Sequence, residues 1–63
     1  MEPQTREFEI VAARDIRLGD IRLTGGEVTD FSHNWGTVLV EYDREFLVVY
    51  NHGDPVKIHP REA

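Results

Sequence analysis

The sequence has no cysteine, only one lysine among its seven basic residues, and no long apolar run. The lack of cysteine excludes disulfide bonds, thiol nucleophiles and cysteine-ligated zinc, and it favours a reducing compartment. No stretch approaches the roughly 20 apolar residues that a membrane-spanning helix needs. The N-terminal MEPQTREFE also lacks the apolar core of a signal peptide. We therefore expect a cytoplasmic protein that does not associate with membranes.

Basic charge is also scarce. Twelve acidic residues against seven basic ones give a formal net charge of -5. Phosphate backbones attract positive charge, so this balance disfavours nucleic acid as a partner. The simplest interpretation of the acidic residues is a solvated surface, and the alternative is that they steer a basic partner. They include Glu2, Glu7, Glu9, Glu41, Asp43 and Glu45.

The chain is short for a domain that must stabilise itself. A chain of 63 residues removes only about 60% of its unfolded surface from water, so its core is small. We expect residues 1–63 to form one β domain whose residues 1–6 are flexible. Stabilisation by a second chain is expected on the same ground.

Helical periodicity is absent as well. No segment repeats apolar residues at helical spacing over three turns, whereas short β-branched and aromatic runs alternate with turn residues. The pattern predicts an all-β fold with about five or six antiparallel strands, either a strongly bent sheet or a small SH3-like barrel.

The clearest strands are Trp35–Tyr42 and Phe46–Tyr50, joined by the short polar loop Asp43–Glu45. A three-residue loop would pair Tyr42 with Phe46, Val40 with Val48 and Val38 with Tyr50 on one face. The opposite face then carries Leu39, Leu47 and Val49. Because a half-exposed strand should not be apolar on both sides, we expect this second face to be covered by closure of the sheet and by a second copy of the chain.

Weaker patterns indicate the remaining strands. Residues 7–12 alternate weakly, with Phe8, Ile10 and Ala12 on one face and Glu7, Glu9 and Val11 on the other. Ile21 and Leu23 flank Arg22 as in a half-buried strand. Val28 and Phe31 have opposite parity, which predicts a bulge between them. After the turn NHGDP, Val56 and Ile58 should share one face of a last strand.

The segment RDIRLGDIRLTGG contains the turn signal RLGD, in which Gly19 can adopt positive φ and Asp20 can bond back to the backbone. The residues Val11, Ala13, Asp15, Ile16, Gly19 and Asp20 resemble the V-x-A-x-D-L-x-x-G-D segment of Hint-type domains in inteins and hedgehog autoprocessing proteins. The segment is also similar to parts of small β-barrel proteins encoded by actinobacterial phages.

The Hint resemblance implies strand-turn-strand geometry only, because the residues that splicing requires are missing. The chain has no initial nucleophile and no Thr-x-x-His block, and its His33-Asn34 pair lies in mid-chain. We therefore interpret Asp15 and Asp20 as turn-capping carboxylates. The phage resemblance implies an accessory role that modulates a host factor.

The aromatic residues are the main candidates for binding. We predict a non-enzymatic protein-protein interaction module, forming a homodimer and needing no cofactor. Trp is enriched at binding hot spots, but a lone Trp in a small domain more often closes the end of the core, so both roles remain open for Trp35. The predicted contact residues are Trp35, Tyr42, Phe46, Tyr50 and His33.

The sequence offers weaker candidates for nucleic-acid or nucleotide binding, metal binding and catalysis. The alternative is a small nucleic-acid or nucleotide-binding barrel that stacks bases on Phe31, His33 and Trp35 beside Arg22. A metal site of His33, His52 and His59 with Asp54 is disfavoured because the spacing matches no ligand pattern. Catalysis by Ser32 is disfavoured because its neighbour His33 points away from it in a strand.

Overall fold

Five strands and one short 3₁₀ helix make up the structure, a computed structural model that describes residues 8–61. The helix spans Ala13–Asp15, and the strands are β1 (Glu9–Ala12), β2 (Val28–His33), β3 (Thr37–Tyr42), β4 (Phe46–Asn51) and β5 (Pro55–Ile58). The all-β prediction is confirmed, while the predicted flexible segment 1–6 lies outside the described residues. None of the helical structure in residues 8–61 is long and apolar enough to cross a membrane.

The strands form two antiparallel sheets, β1-β5 and β2-β3-β4, and residues 8–61 do not close into a barrel. The segment Ile21–Leu23, predicted as a strand, makes only isolated bridges. It nevertheless links the sheets: Leu23 N donates to Lys57 O at 3.0 Å and His59 N to Ile21 O at 2.8 Å, before the chain enters β2.

The β3-β4 hairpin has the predicted register. Tyr42 pairs with Phe46, Val40 with Val48 and Val38 with Tyr50. The loop is tight because Asp43 and Arg44 adopt φ of 56° and 57°, as in a type I′ turn. These left-handed conformations are unusual for residues other than glycine. Contacts with the chain before β2 hold the turn, since Asp43 Oδ1 accepts from Glu27 N at 2.9 Å.

The strand details both confirm and correct the predictions. The register of β2 against β3 shifts between Val28 and Asp30, so the predicted bulge is present. In β1 the assignment of faces is corrected: Val11 is buried and Ile10 is 56% exposed. The core needs Val11 and Ala13 because β1 leads directly into the 3₁₀ helix, whose Ala13 is fully buried.

The core lies between the two sheets and centres on Tyr42. Its hydroxyl lies 2.8 Å from the Tyr50 hydroxyl, and the Arg22 guanidinium lies 3.8 Å from the centre of its ring. Burial, together with the hydrogen bond to Tyr50, raises the pKa of Tyr42 far above its usual value. The buried apolar residues are Val11, Ala13, Ile16, Val28, Val38, Val40, Tyr42, Val56 and Ile58, and the predicted shared face of Val56 and Ile58 is among them.

Asp20 is the one buried polar residue found in the described part of the chain. It caps its own turn as predicted, with Oδ2 accepting from Arg17 N at 2.9 Å. It also binds Arg61 in a fork, from Nε to Oδ1 at 3.0 Å and from Nη2 to Oδ2 at 2.7 Å. Arg61 Nη2 reaches Asp15 O at 2.9 Å as well. Asp15 thus contributes its carbonyl to this network.

The charge of Asp20 is favoured in the folded state. Burial alone would raise its pKa, but the hydrogen bonds from Arg61 and from Arg17 N, with the charges of both arginines, bring the pKa below its usual value. A carboxyl with a lowered folded pKa stabilises the fold above its unfolded pKa. This contribution is lost as the pH falls through the folded value.

We expect Asp20→Asn to lower the free energy of unfolding by about 2 kcal/mol at neutral pH, because Arg61 loses a buried ionic partner. The deficit should begin to shrink at about pH 4, where the carboxyl of the unfolded chain becomes protonated, and should vanish as the pH falls through the lower folded pKa. Urea unfolding followed by circular dichroism measures both effects. Asp30→Asn is the control, because its carboxylate is exposed and accepts only from Phe31 N. A pH-independent deficit would contradict the assignment.

Candidate functional site

Three segments meet at one end of the fold. They are the β2-β3 turn Asn34–Gly36, the β4-β5 turn and the 3₁₀ helix. His52 N donates to Gly36 O, and Arg14 N donates to His52 O, each at 3.0 Å. The β2-β3 turn is closed by a bond from Asn34 N to Thr37 O at 2.8 Å. These backbone bonds fix the turns to one another and hold the side chains between them.

Trp35 is fully exposed to solvent at this end of the fold. The residue is 101% exposed. Gly36, with φ of 70°, provides the left-handed residue that turns the chain back into β3. The interpretation of Trp35 as a plug of the core is therefore wrong.

The rings beside Trp35 form a row. Phe31 and His33 meet edge to face with centroids 5.5 Å apart, and His33 lies 5.8 Å from His52. His52 Nε2 is buried without a hydrogen-bond partner among the described residues. A depression of about 420 Å³ follows this row. We call its lining residues the tryptophan end: His33, Asn34, Trp35, Gly36 and His52.

A second cavity of about 550 Å³ adjoins the tryptophan end through His33. It lies against β1 and the 3₁₀ helix, and we call it the arginine cavity. Its charged and aromatic lining comprises Arg14, Asp15, Arg17, Phe31, His33 and Arg61. Three of the six arginines in the sequence thus border one opening.

The outer face of the three-stranded sheet carries a third feature. Leu39 is half-buried, but Leu47 and Val49 are 64% and 66% exposed. Residues 8–61 do not cover this face, contrary to the part of the prediction that relied on closure of the sheet. A shallow cavity of about 180 Å³ lies on it beside Asp30 and Glu41. We call Leu39, Leu47 and Val49 the outer face.

The structure does not bring the five predicted contact residues to one surface. His33 and Trp35 lie together at the tryptophan end. Tyr42 is fully buried, and Tyr50 is half-buried and bonded to it. Phe46 is 53% exposed but pairs with Tyr42 at the far end of β3, about 17 Å along the strand from Thr37. Tyr42 is excluded as a contact because the core needs its ring.

The residues of the alternative nucleic-acid and metal sites are also not brought together. Arg22 stacks on Tyr42 and donates from Nε to Gly25 O at 2.9 Å, so it is not beside Trp35. His33 and His52 are neighbours, whereas His59 follows β5 and bonds to Ile21. Across residues 8–61, no three His, Asp or Glu side chains gather as metal ligands would.

Sequence reasoning missed the arginine cavity. Arg14, Arg17 and Arg61 are separated by up to 47 positions and share no periodic pattern. They converge because the 3₁₀ helix turns the chain at Arg14, the Gly-Asp turn follows Arg17, and Asp20 draws Arg61 back from the end of β5. Only the Gly-Asp turn had a signal in the sequence, in the motif RLGD, because the bond from Asp20 to Arg61 joins residues 41 positions apart.

No protein-family model, no curated protein and no solved structure matches this chain. The function is therefore argued from the geometry and chemistry of the three surfaces described above.

We expect Trp35→Ala to change the free energy of unfolding by less than about 0.5 kcal/mol, because the side chain makes no contribution to the core. Tyr42→Phe, the control, should cost about 1 kcal/mol because the Tyr50 hydroxyl loses its partner. Urea unfolding followed by circular dichroism compares the two. Trp35 is the single tryptophan, so wild-type fluorescence should match indole in water and be quenched freely by acrylamide. A blue-shifted, protected emission would place Trp35 in the core instead.

Proposed function

We propose that the protein is a non-enzymatic protein-protein interaction module whose contact centre is the tryptophan end. The observation that carries the proposal is the complete exposure of Trp35 on a turn that backbone hydrogen bonds hold in place. Leaving a large aromatic side chain in water forfeits the free energy of its burial. A partner that covers Trp35 recovers this free energy.

The surroundings of Trp35 support a protein partner. Interface hot spots are enriched in tryptophan and arginine, and they are ringed by polar groups that exclude water. Here His33, Asn34 and His52 line the depression beside Trp35, and Arg14 borders the adjoining cavity.

The proposal extends to the biological role, the cellular location and the fold type. The phage resemblance of the Val11–Asp20 segment supports an accessory protein that modulates a host factor, and the cysteine-free sequence supports a cytoplasmic location. We assign the fold to an open SH3-like arrangement. In its support, the first and last strands pair, and the Ile21–Leu23 segment joins β5 before the chain enters β2.

We expect Trp35→Ala to abolish capture of a specific protein from a host-cell lysate and to weaken binding of that purified protein by about 30-fold or more, as loss of a hot spot does. Pull-down followed by titration calorimetry provides the measurement. Leu18→Ala is the matched control, because Leu18 is 64% exposed on a different turn. Equal binding by wild type and Trp35→Ala would refute the proposed contact centre.

Homodimerisation through the outer face is the second part of the proposal. Leu47 and Val49 expose apolar surface on β4, which has a strand neighbour on one side only. A second copy that pairs antiparallel along β4 would continue the sheet and place the two Leu47-Val49 ladders side by side. This dimer would leave Trp35 accessible to another protein, because Trp35 lies on the turn between β2 and β3 and not on β4.

We expect the wild type to sediment as a dimer at micromolar concentration and Val49→Glu to sediment as a monomer, because the added carboxylates would face each other across the pair. Ile10→Glu is the control, because Ile10 is comparably exposed on the other sheet. Analytical ultracentrifugation measures all three proteins. A wild-type monomer, or dissociation by both substitutions alike, argues against the outer face as the dimer interface.

A further inference from the structure

The arginine cavity presents two guanidinium groups that have no partner in the described part of the chain. The side chains of Arg14 and Arg17 make no ion pair or hydrogen bond with any residue of the 8–61 range. Asp15 is the single carboxylate of the described residues that lines the cavity, while Asp20 binds the Arg61 guanidinium and Glu9 accepts from the Arg61 backbone N–H. The donors of Arg14 and Arg17 are therefore available to a ligand that enters the opening.

Arg61 is a positioned donor at the same opening. Its Nε and Nη2 are held by Asp20, and Nη2 also reaches Asp15 O. Its Nη1 makes no hydrogen bond with the described residues, so two N–H groups on a fixed guanidinium remain available. Its side chain is 22% exposed, which keeps this donor within reach of a ligand. A donor that is already fixed loses little freedom when it binds an oxyanion.

Two aromatic rings line the same cavity, those of Phe31 and His33. Phe31 packs against the core, and its ring meets that of His33 edge to face, with the two planes at 90°. A planar aromatic group can therefore stack on one ring and meet the edge of the other. The cavity volume of about 550 Å³ lies within the range of about 300–1,000 Å³ that is usual for small-molecule sites.

We propose that the arginine cavity binds a mononucleotide, with the phosphate held by Arg14, Arg17 and the free Nη1 of Arg61 and the base packed against Phe31 and His33. Guanidinium groups bind phosphate through paired, charge-assisted hydrogen bonds. The juxtaposition of three guanidinium groups with two rings distinguishes a nucleotide from inorganic phosphate. The site borders the tryptophan end at His33 but does not include Trp35, so nucleotide binding can be tested without a protein partner.

The test titrates the ¹⁵N-labelled protein with AMP, inorganic phosphate and adenosine while amide and arginine Nε–H resonances are followed by NMR. We expect AMP to shift Arg14, Arg17 and Arg61 and to bind about tenfold more tightly than phosphate, because the base adds stacking. Adenosine alone should bind more weakly than AMP. Equal affinities for AMP and phosphate would overturn the assignment of the rings.

Arg17→Gln tests the arginines, and Arg44→Gln, on the distant β3-β4 turn, is the control with the same change of net charge. We expect the first to weaken AMP binding about tenfold and the second to leave it unchanged. The fold should persist in Arg17→Gln, because Arg17 binds Asp20 through its backbone N–H, and Arg14→Gln gives an independent second variant. Equal losses of AMP affinity in Arg17→Gln and Arg44→Gln would show that binding depends on the net charge of the protein and not on the arginine cavity, which would overturn the proposal. Tighter binding of oligothymidylate than of AMP would overturn the proposal in favour of single-stranded nucleic acid.

Discussion

The ion pair between Asp20 and Arg61 reinforces the junction at which the Gly-Asp turn meets the end of β5. Its carboxylate closes the turn, and the backbone of Asp20 accepts from Val28 N at 2.8 Å where β2 begins. The guanidinium then ties this turn to Asp15 O. A buried charge is tolerated only when it is paired and hydrogen-bonded. The network therefore adds to the backbone bonds of Ile21–Leu23 that link the two sheets.

Small size explains why so much apolar surface remains outside. A core of nine buried apolar residues occupies the space between the sheets, and residues 8–61 supply no second layer to cover the outer face or Trp35. In a larger domain a helix would cover such a sheet. Here the uncovered groups fall into separate regions with different chemistry: an isolated indole, an apolar sheet face and a charged cavity. This separation is why we assign them to different ligands.

The local predictions succeeded where one face of a strand determines the outcome. The β3-β4 register follows from alternating residues and a short loop, and the β2 bulge follows from the parity of Val28 and Phe31. Prediction failed where distant contacts decide. Tyr42 and Trp35 are both aromatic residues of the same sequence region, yet Tyr42 is buried in the core and Trp35 is fully exposed. The arginine cavity was invisible for the same reason, since an ion pair across 41 positions helps to assemble it.

The pairing of β1 with β5 sets an order of events during folding. The β2-β3-β4 meander has only local pairings and can form early, whereas β1 must find Pro55–Ile58 near the other end of the described chain. Until that pairing forms, Val11 and Ala13 have no strand to pack beside, and Asp20 lacks the Arg61 guanidinium. Contacts between distant segments are slow to form and leave apolar surface exposed in the meantime. The first strand is therefore the part of this small fold that stays open to other chains for longest.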